Sequence, residues 1–135
     1  METPGCLSTR PVPEMNGTSK RIRREKAGRR AEWLAAWYLR LKGYHILEQR
    51  FRCPDGEIDI VARRKSDLVI VEVKQRATRD LAEESLTPYA RRRISRAADT
   101  YVARNRHVQQ LAVRFDAVFI IGWRQIIHLK DAWRD

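Results

Sequence analysis

Three residues in two neighbouring segments have the types and spacing needed to cleave a phosphodiester bond. Asp59 lies in the segment EIDIVAR (57–63), and Glu72 and Lys74 lie in LVIVEVK (68–74). Both segments have the composition of buried strands, so an acid in each of them needs a compensating charge. Carboxylate oxygens are ligands that Mg²⁺ and Mn²⁺ prefer. A bound ion of this kind lowers the pKa of a water molecule and stabilises charge on a phosphate.

The turn between the two segments predicts how they pair. Residues 64–67, Arg-Lys-Ser-Asp, form a polar four-residue turn that places Asp59 opposite Glu72 and Glu57 opposite Lys74, with all four side chains on one face. Two opposed carboxylates repel each other by roughly 1 kcal/mol in water and roughly 4 kcal/mol near a protein surface. A divalent cation would remove this repulsion, and the alternative is a solvated face with a Glu57–Lys74 ion pair. The other face should carry Ile58, Ile60, Ala62, Val69, Val71 and Val73.

Further groups can be assigned to the same site. The backbone carbonyl of Val73 is close enough to Glu72 to join the metal ligands, and Lys74 can orient or deprotonate the attacking water. Glu32 lies in a helical segment, on a stripe of mostly small residues that lets the helix approach the sheet, so it can point at the cation. The alternative is that Glu32 only complements the positive end of its helix. The small residues of this stripe are Gly28, Ala35, Ala36 and Gly43.

The elements that must position these residues follow from hydrophobic periodicity. The first helix should bury Ala27, Ala31, Leu34, Ala35, Tyr38 and Leu41 and end at Gly43. Strands are predicted at residues 44–51, 57–63 and 68–74, followed by a charged loop at 75–86. A second helix begins at Thr87 as the cap and Pro88 as its first residue, and it should bury Ile94, Ala97, Ala98, Tyr101 and Val102. Strands at 113–121 and 125–129 complete the order α-β-β-β-α-β-β.

This order predicts the fold class and the domain organisation. A strand-helix-strand connection is right-handed, so the fourth strand should run parallel to one of the first three, in a mixed sheet with helices on both faces. Residues 20–135 form one α/β domain of ordinary size. Residues 1–19 are rich in Pro, Gly, Ser and Thr without an apolar period, and we predict that they form a disordered tail.

The charge of the chain indicates a polyanionic partner. The formal net charge is +11, and 22 of the 28 basic residues are Arg. This balance favours nucleic acid, although charge does not separate DNA from RNA. Phosphate contacts are predicted for Arg76, Arg91, Arg92 and Arg93, with a merely solvated charged surface as the alternative.

The remaining composition predicts the compartment. Two cysteines without metal-ligand spacing indicate reducing cytosol, and we expect a cytoplasmic protein. No apolar run reaches the ~20 residues that span a bilayer, and no secretory signal is apparent. His45, His107 and His128 are scattered and receive no role. Trp33, Trp37 and Trp123 are interpreted as core residues, and Trp133 is expected to dock onto the domain or a partner.

The same residues carry a family resemblance. The strings AEWLAAWYLRLKGYHILEQRFR, GEIDIVA, VIVEVKQR and RFDAVFI resemble the YraN family, within the PD-(D/E)XK nuclease superfamily of resolvases and restriction enzymes. The resemblance implies a restriction-endonuclease-like αβββαβ core. It also implies that Asp59 and Glu72 are metal ligands, that Lys74 is the catalytic lysine, and that Glu32 is the helix acid of resolvase-like members.

Two functions from different classes follow. The first is a Mg²⁺- or Mn²⁺-dependent endonuclease that acts on DNA, including branched or damaged DNA, and that could work as a homodimer. The second is a nucleic-acid-binding or adaptor protein that keeps the nuclease fold without turnover. RNA as the substrate stays open at this point.

Overall fold

The computed structural model describes residues 11–134, and their side chains from Lys26 onward. Within this described range the chain forms three helices, a short 3-10 turn at Arg106–Val108 and five strands. The elements in chain order are α1 (Pro11–Leu41), β1 (His45–Cys53), β2 (Gly56–Arg64), β3 (Asp67–Arg76), α2 (Arg79–Glu84), α3 (Pro88–Arg104), β4 (Ala112–Ile121) and β5 (Gln125–Trp133). Every predicted helix and strand is present, and α2 is an addition within the predicted loop.

The sheet is mixed, as predicted. Its strand order is β1-β2-β3-β4-β5. The β3–β4 pair is parallel, and the β1–β2, β2–β3 and β4–β5 pairs are antiparallel. The crossover through α3 therefore returns the chain beside β3. This arrangement is an α/β fold consistent with the restriction-endonuclease-like core.

Helices cover both faces of the sheet. On one face α1 packs on β2, β3 and β4, and its buried residues there are Ala31, Ala35, Ala36 and Leu39. On the other face α2 and α3 cover a larger cluster that includes Ile70, Ile94 and Phe119. The small stripe of α1 faces the sheet, whereas Leu41, predicted to be buried, is exposed because it is the last residue of the helix.

Local signals set the helix ends. Gly43 has a φ of 93° and follows α1, as a left-handed terminating residue should. Thr87 Oγ1 accepts a hydrogen bond of 3.1 Å from Ala90 N, which confirms the predicted cap of α3. Thr78 caps α2 in the same way through Leu81 N. This six-residue helix is too short for its periodicity to be read from the sequence, so the prediction of a loop was wrong there.

The first helix begins earlier than the sequence indicated. Residues 11–19, which were predicted to belong to a disordered tail, lie in α1. Pro11 and Pro13 fit its first turn because the first amide groups of a helix have no partner within the helix. Residues 1–10 of the predicted tail lie outside the described residues. No helix within the described range is long and apolar enough to span a bilayer.

Candidate active site

The strands β2 and β3 separate where the carboxylates lie. They pair in the predicted register as far as Ile60 and Val71. Asp59 then turns its side chain into the gap, where Oδ2 accepts a hydrogen bond of 2.9 Å from the backbone N–H of Val73. The prediction that Asp59 is the ladder partner of Glu72 was therefore wrong, because the Asp59 carboxylate replaces a main-chain acceptor. The two side chains nevertheless remain in contact.

The alternation of β2 also breaks at this point. Ile58, predicted to share a face with Ile60, instead packs in the cluster covered by α3. Glu57 is exposed and lies 3.6 Å from Arg52 on β1. Lys74 bonds elsewhere, so neither the predicted pairing of Glu57 with Lys74 nor the alternative ion pair between them forms.

Asp59, Glu72 and Lys74 form a compact charged group. The Lys74 Nζ atom lies 3.1 Å from Oε2 of Glu72, whose side chain is only 12% exposed. Burial raises the pKa of Glu72 well above its usual value, and the Asp59 carboxylate raises it further, whereas the Lys74 ammonium lowers it. A protonated Glu72 donates a hydrogen bond to Asp59. The pair therefore favours either a shared proton or a bound cation.

Asp59 and Glu72 line cavities on both faces of the sheet. The cavity beside α1, termed the carboxylate cavity, measures about 420 Å³. Its polar lining is Glu32, Asp59, Glu72, Lys74, Gln75 and Arg76. The cavity beside α3 measures about 250 Å³ and is lined by Glu57, Asp59, Glu72, Tyr89, Ala90, Arg93 and Ile94. Asp59 and Glu72 can therefore be reached from either side of the sheet, through the gap between β2 and β3.

Glu32 faces the carboxylate cavity from α1. It lies well inside this helix, so the alternative role at a helix end does not apply. Its Oε1 atom lies 3.1 Å from Nε of Arg50, and its side chain is 14% exposed. Burial raises the pKa of Glu32 to about 7, the charge of Asp59 adds to the increase, and Arg50 opposes it. A carboxyl group with this pKa can exchange a proton near neutral pH.

The raised pKa predicts that Glu32→Gln stabilises the metal-free protein at alkaline pH. The folded protein binds this proton more tightly than the unfolded chain, so the stability that Glu32 contributes is full below about pH 4.5 and is lost as the pH rises through about 7. The shift corresponds to roughly 3 kcal/mol, and we expect a gain of about 2 kcal/mol at about pH 8 because the amide loses the ion pair with Arg50.

The measurement is urea unfolding of both proteins at about pH 5 and about pH 8 without divalent ions. The difference in unfolding free energy between variant and wild type should grow with pH. A difference that is the same at both pH values would contradict a raised pKa of Glu32.

The donor set fits a hard divalent ion. Mg²⁺ usually keeps several waters and takes one or two protein carboxylates, so Asp59, Glu72 and the Val73 carbonyl are sufficient. Among the side chains that the structure describes, from Lys26 to Arg134, no three His, Cys, Asp or Glu residues come together closely enough to hold a metal. Glu32 accordingly lies on the same cavity but is bonded to Arg50 rather than grouped with the other two acids.

The four predicted phosphate-binding arginines occupy different places. Arg76 lines the carboxylate cavity and Arg93 lines the cavity beside α3. Arg92 is exposed and lines neither cavity. Arg91 lies over the ring of Trp133 at 6.0 Å, with its Nε atom buried. The structure therefore gathers Arg76 and Arg93 around the carboxylates but not Arg91 or Arg92.

The sequence patterns did not predict a buried hydrogen-bond network around Asp116. Asp116 on β4 is fully buried and accepts hydrogen bonds from Arg114 at 2.8 Å and from the backbone N–H of Asp131 at 3.0 Å. Its Oδ2 atom lies 2.7 Å from Nε2 of His128. His128, which received no role from the sequence, has a buried side chain in this network. The signal was present in RFDAVFI, where a charged residue interrupts an apolar strand.

The tryptophans also differ from prediction. Trp33, Trp37 and Trp123 are exposed rather than in the core. Trp33 and Trp37 contact each other edge to face on the outer side of α1. Trp133 docks onto the domain, as expected, with its ring stacked 5.2 Å from that of Phe115.

Comparisons with known proteins support the family resemblance of the sequence. The sequence model of "Uncharacterised protein family UPF0102" matches residues 31–120. A UPF0102 protein of Paramagnetospirillum magneticum is 48% identical over 114 residues, covering 82% of this chain and 88% of the relative. UPF0102 proteins of Parvibaculum lavamentivorans (48% identity, 81% and 82% coverage) and of a Chelativorans species (43%, 87% and 97%) are similar over comparable lengths. This chain therefore belongs to the UPF0102 (YraN) family, within the PD-(D/E)XK nuclease-like superfamily.

Proposed function

We propose that this protein is a Mg²⁺- or Mn²⁺-dependent endonuclease that hydrolyses phosphodiester bonds of DNA. The observation that carries the proposal is the contact between Asp59 and Glu72, with Lys74 bonded to Glu72 at 3.1 Å, on an open cavity. Acids that are buried and adjacent are costly unless a cation or a proton joins them. A lysine beside such a pair is the group that hydrolysis at a phosphate would use.

Several residues of the chain have distinct roles in the proposed hydrolysis. Asp59, Glu72 and the Val73 carbonyl would hold the ion, which when bound supplies an activated water and neutralises phosphate charge. Lys74, whose ammonium group is paired with Glu72, orients the attacking water and stabilises the negative charge that develops on the phosphate. Arg76, on the wall of the same cavity, holds a phosphate oxygen of the substrate. Glu32, with a pKa near 7, can accept a proton at the cavity wall.

The surroundings of the site support a nucleic acid as the substrate class. The net charge of +11 favours a polyanion, and Arg93 extends the basic lining to the opposite cavity. An open cavity on each side of the two acids suits a polymer better than it suits a small molecule that must be enclosed, and we propose that the substrate includes branched or damaged DNA. We further propose that the protein acts in the cytoplasm and that a homodimer would cut two strands of a branched substrate.

The direct test is cleavage of linear, flapped and four-way DNA in Mn²⁺. We expect a product from at least one branched substrate, and we expect Asp59→Asn to abolish it. The matched control is Asp55→Asn, which changes an exposed acid four positions earlier in the chain and should leave cleavage unchanged. Absence of any product from all three substrates would argue against an endonuclease.

A second measurement tests the metal separately from turnover. Mn²⁺ should stabilise the wild-type protein against unfolding, by about 3 kcal/mol at roughly a hundredfold excess over its Kd, because it binds the folded state alone. Asp59→Asn should lose this effect, and Asp55→Asn should keep it. Calorimetric or thermal unfolding with and without Mn²⁺ gives the result. An equal stabilisation of wild type and Asp59→Asn would show that Mn²⁺ binds elsewhere.

The contact between the acids also favours a second candidate, a DNA-binding protein without turnover. Glu72 and Asp59 can share a proton, and Lys74 already neutralises part of their charge, so the site is satisfied without a metal. In this case DNA affinity would be salt-dependent, would survive or improve in Asp59→Asn, and would yield no metal-dependent product.

A further inference from the structure

Trp123 lies on the turn between β4 and β5, beside the carboxylate cavity. The turn is closed by a hydrogen bond of 3.0 Å from Arg124 N to the carbonyl of Ile121. The next bond ties the turn to the site, because Gly122 N donates to the carbonyl of Arg76 at 2.9 Å. Arg76 lines the carboxylate cavity. Trp123 does not line this cavity, but it directly follows a residue that is bonded to the cavity wall, and we call this position the rim of the cavity.

The backbone at Trp123 is unfavourable for a large side chain. Gly122 and Trp123 have φ values of 56° and 61°, and positive φ at both central residues is the pattern of a tight hairpin turn that favours Asn and Gly. A bulky residue in this region is an outlier, and such strain is concentrated at functional sites. Despite its size, the side chain is not used in the core, since it is 42% exposed.

A cation completes the surface at Trp123. The guanidinium of Arg30 lies 5.5 Å from the centre of the Trp123 ring. Arg30 comes from α1, between Gly28 and Ala31, which both line the carboxylate cavity. An aromatic face and a positive charge thus meet at the cavity rim from two different elements, β4–β5 and α1.

We propose that Trp123 and Arg30 form a platform on which an unpaired base of single-stranded DNA stacks while its neighbouring phosphate enters the carboxylate cavity. Aromatic rings and arginine side chains bind single strands in this way without reading sequence. The position of the phosphate rests on the function proposed above. The platform selects substrates with an unpaired base beside the cleaved bond, such as flaps and junctions, over continuous duplex.

The chain offers a matched control for this surface. Trp37 is 47% exposed and has Arg40 over its ring at 5.4 Å, which reproduces the surroundings of Trp123. It lies on α1 beyond the part of the helix, Ala27 to Glu32, that lines the cavity. Both variants therefore lose an exposed tryptophan with a stacked arginine, while Trp37 differs from Trp123 in its position, its helical backbone and its contact with Trp33.

The experiment measures binding of a labelled oligothymidine, and of a blunt duplex of equal length, by fluorescence anisotropy without divalent ions. Trp123→Ala should weaken binding of the oligothymidine about 10-fold and leave duplex binding unchanged. Trp123→Phe should retain most of the affinity, and Trp37→Ala should match wild type. Trp123→Gly should lose affinity like alanine while melting at the wild-type temperature or above, because glycine fits the turn.

Unchanged oligothymidine affinity in Trp123→Ala, or an equal loss in Trp37→Ala, would overturn the platform. An equal loss on duplex and single strand would also overturn it, because the effect would then be general. Since no metal is present, the result does not depend on turnover. If Trp123→Ala loses affinity for the oligothymidine alone and the wild-type protein cleaves no DNA, the platform is supported and the nuclease function is not. If the wild-type protein cleaves DNA and Trp123→Ala keeps its affinity, the nuclease function is supported and the platform is not.

Discussion

Replacing Lys74 by methionine is expected to lower Mn²⁺-dependent DNA cleavage by at least ~100-fold, because loss of one positioned donor that stabilises transition-state charge costs about 10²- to 10³-fold in rate. The Lys74 Nζ atom lies 3.1 Å from Glu72 Oε2 on the wall of the carboxylate cavity. Methionine keeps the length and the apolar stem of lysine, so the wall keeps its shape. Single-turnover cleavage with saturating DNA isolates the chemical step from binding.

The conditions of the cleavage assay must separate the role of Lys74 in turnover from its effect on the pKa of Glu72. Because the ammonium lowers the pKa of Glu72, its removal raises that pKa further and weakens metal binding near neutral pH. The comparison therefore belongs at saturating Mn²⁺ and at about pH 8, where Glu72 is more readily ionised. Lys130→Met, at an exposed site on β5, is the control for loss of one positive charge. Cleavage by Lys74→Met at the rate of Lys130→Met would exclude Lys74 from the chemistry.

The sequence was sufficient to bring the two acids together. The polar turn at 64–67 fixes the β2–β3 register, and the observed pairing of Arg63 with Leu68 follows it. Alternation then places Asp59 near Glu72 without knowledge of any other element. The small stripe of α1 similarly predicted that Glu32 faces the sheet, and its side chain is largely buried there.

The departure from regular pairing was not predictable in the same way. Asp59 Oδ2 accepts a hydrogen bond from the backbone N–H of Val73, so the β2–β3 ladder ends there. The Ile58 side chain then packs in the cluster covered by α3. Periodicity assumes a regular strand, so it cannot predict that a side chain will replace a main-chain hydrogen-bond acceptor. Periodicity also could not predict the ion pair between Glu32 and Arg50. Arg50 is distant from Glu32 in sequence and has a φ of 58°, which no local pattern indicated.

Hydrophobicity alone also misplaced large aromatic side chains. Trp33 and Trp37 are spaced by four residues, as a buried stripe would be, yet the helix presents Ala31 and Ala35 to the sheet instead. Small side chains allow a close approach of the helix, and the tryptophans are then left on the outer side. Periodicity locates a stripe on a helix but does not decide which of two apolar stripes is buried.

Replacing Asp116 by asparagine is expected to destabilise the protein by about 3 kcal/mol, within the range found when one partner of a buried ion pair is lost. The carboxylate is fully buried and bonded to Arg114, His128 and the N–H of Asp131, so it links β4 to β5. Asparagine has nearly the same shape, but its amide group cannot accept all three bonds. Urea unfolding at neutral pH measures the loss.

A control variant and the pH dependence test whether the destabilisation in Asp116→Asn comes from the lost charge. Asp67→Asn removes the other acid beside Arg114, 3.3 Å away and 39% exposed, and should cost less than about 1 kcal/mol. Burial raises the pKa of Asp116, but bonds from His128 and Arg114 outweigh it and lower the pKa to about 2. The stability from this lowered pKa is present above about pH 4 and is lost as the pH falls through about 2. The gap between wild type and Asp116→Asn should therefore narrow on acidification, and a gap that stays constant would assign the effect to packing instead of charge.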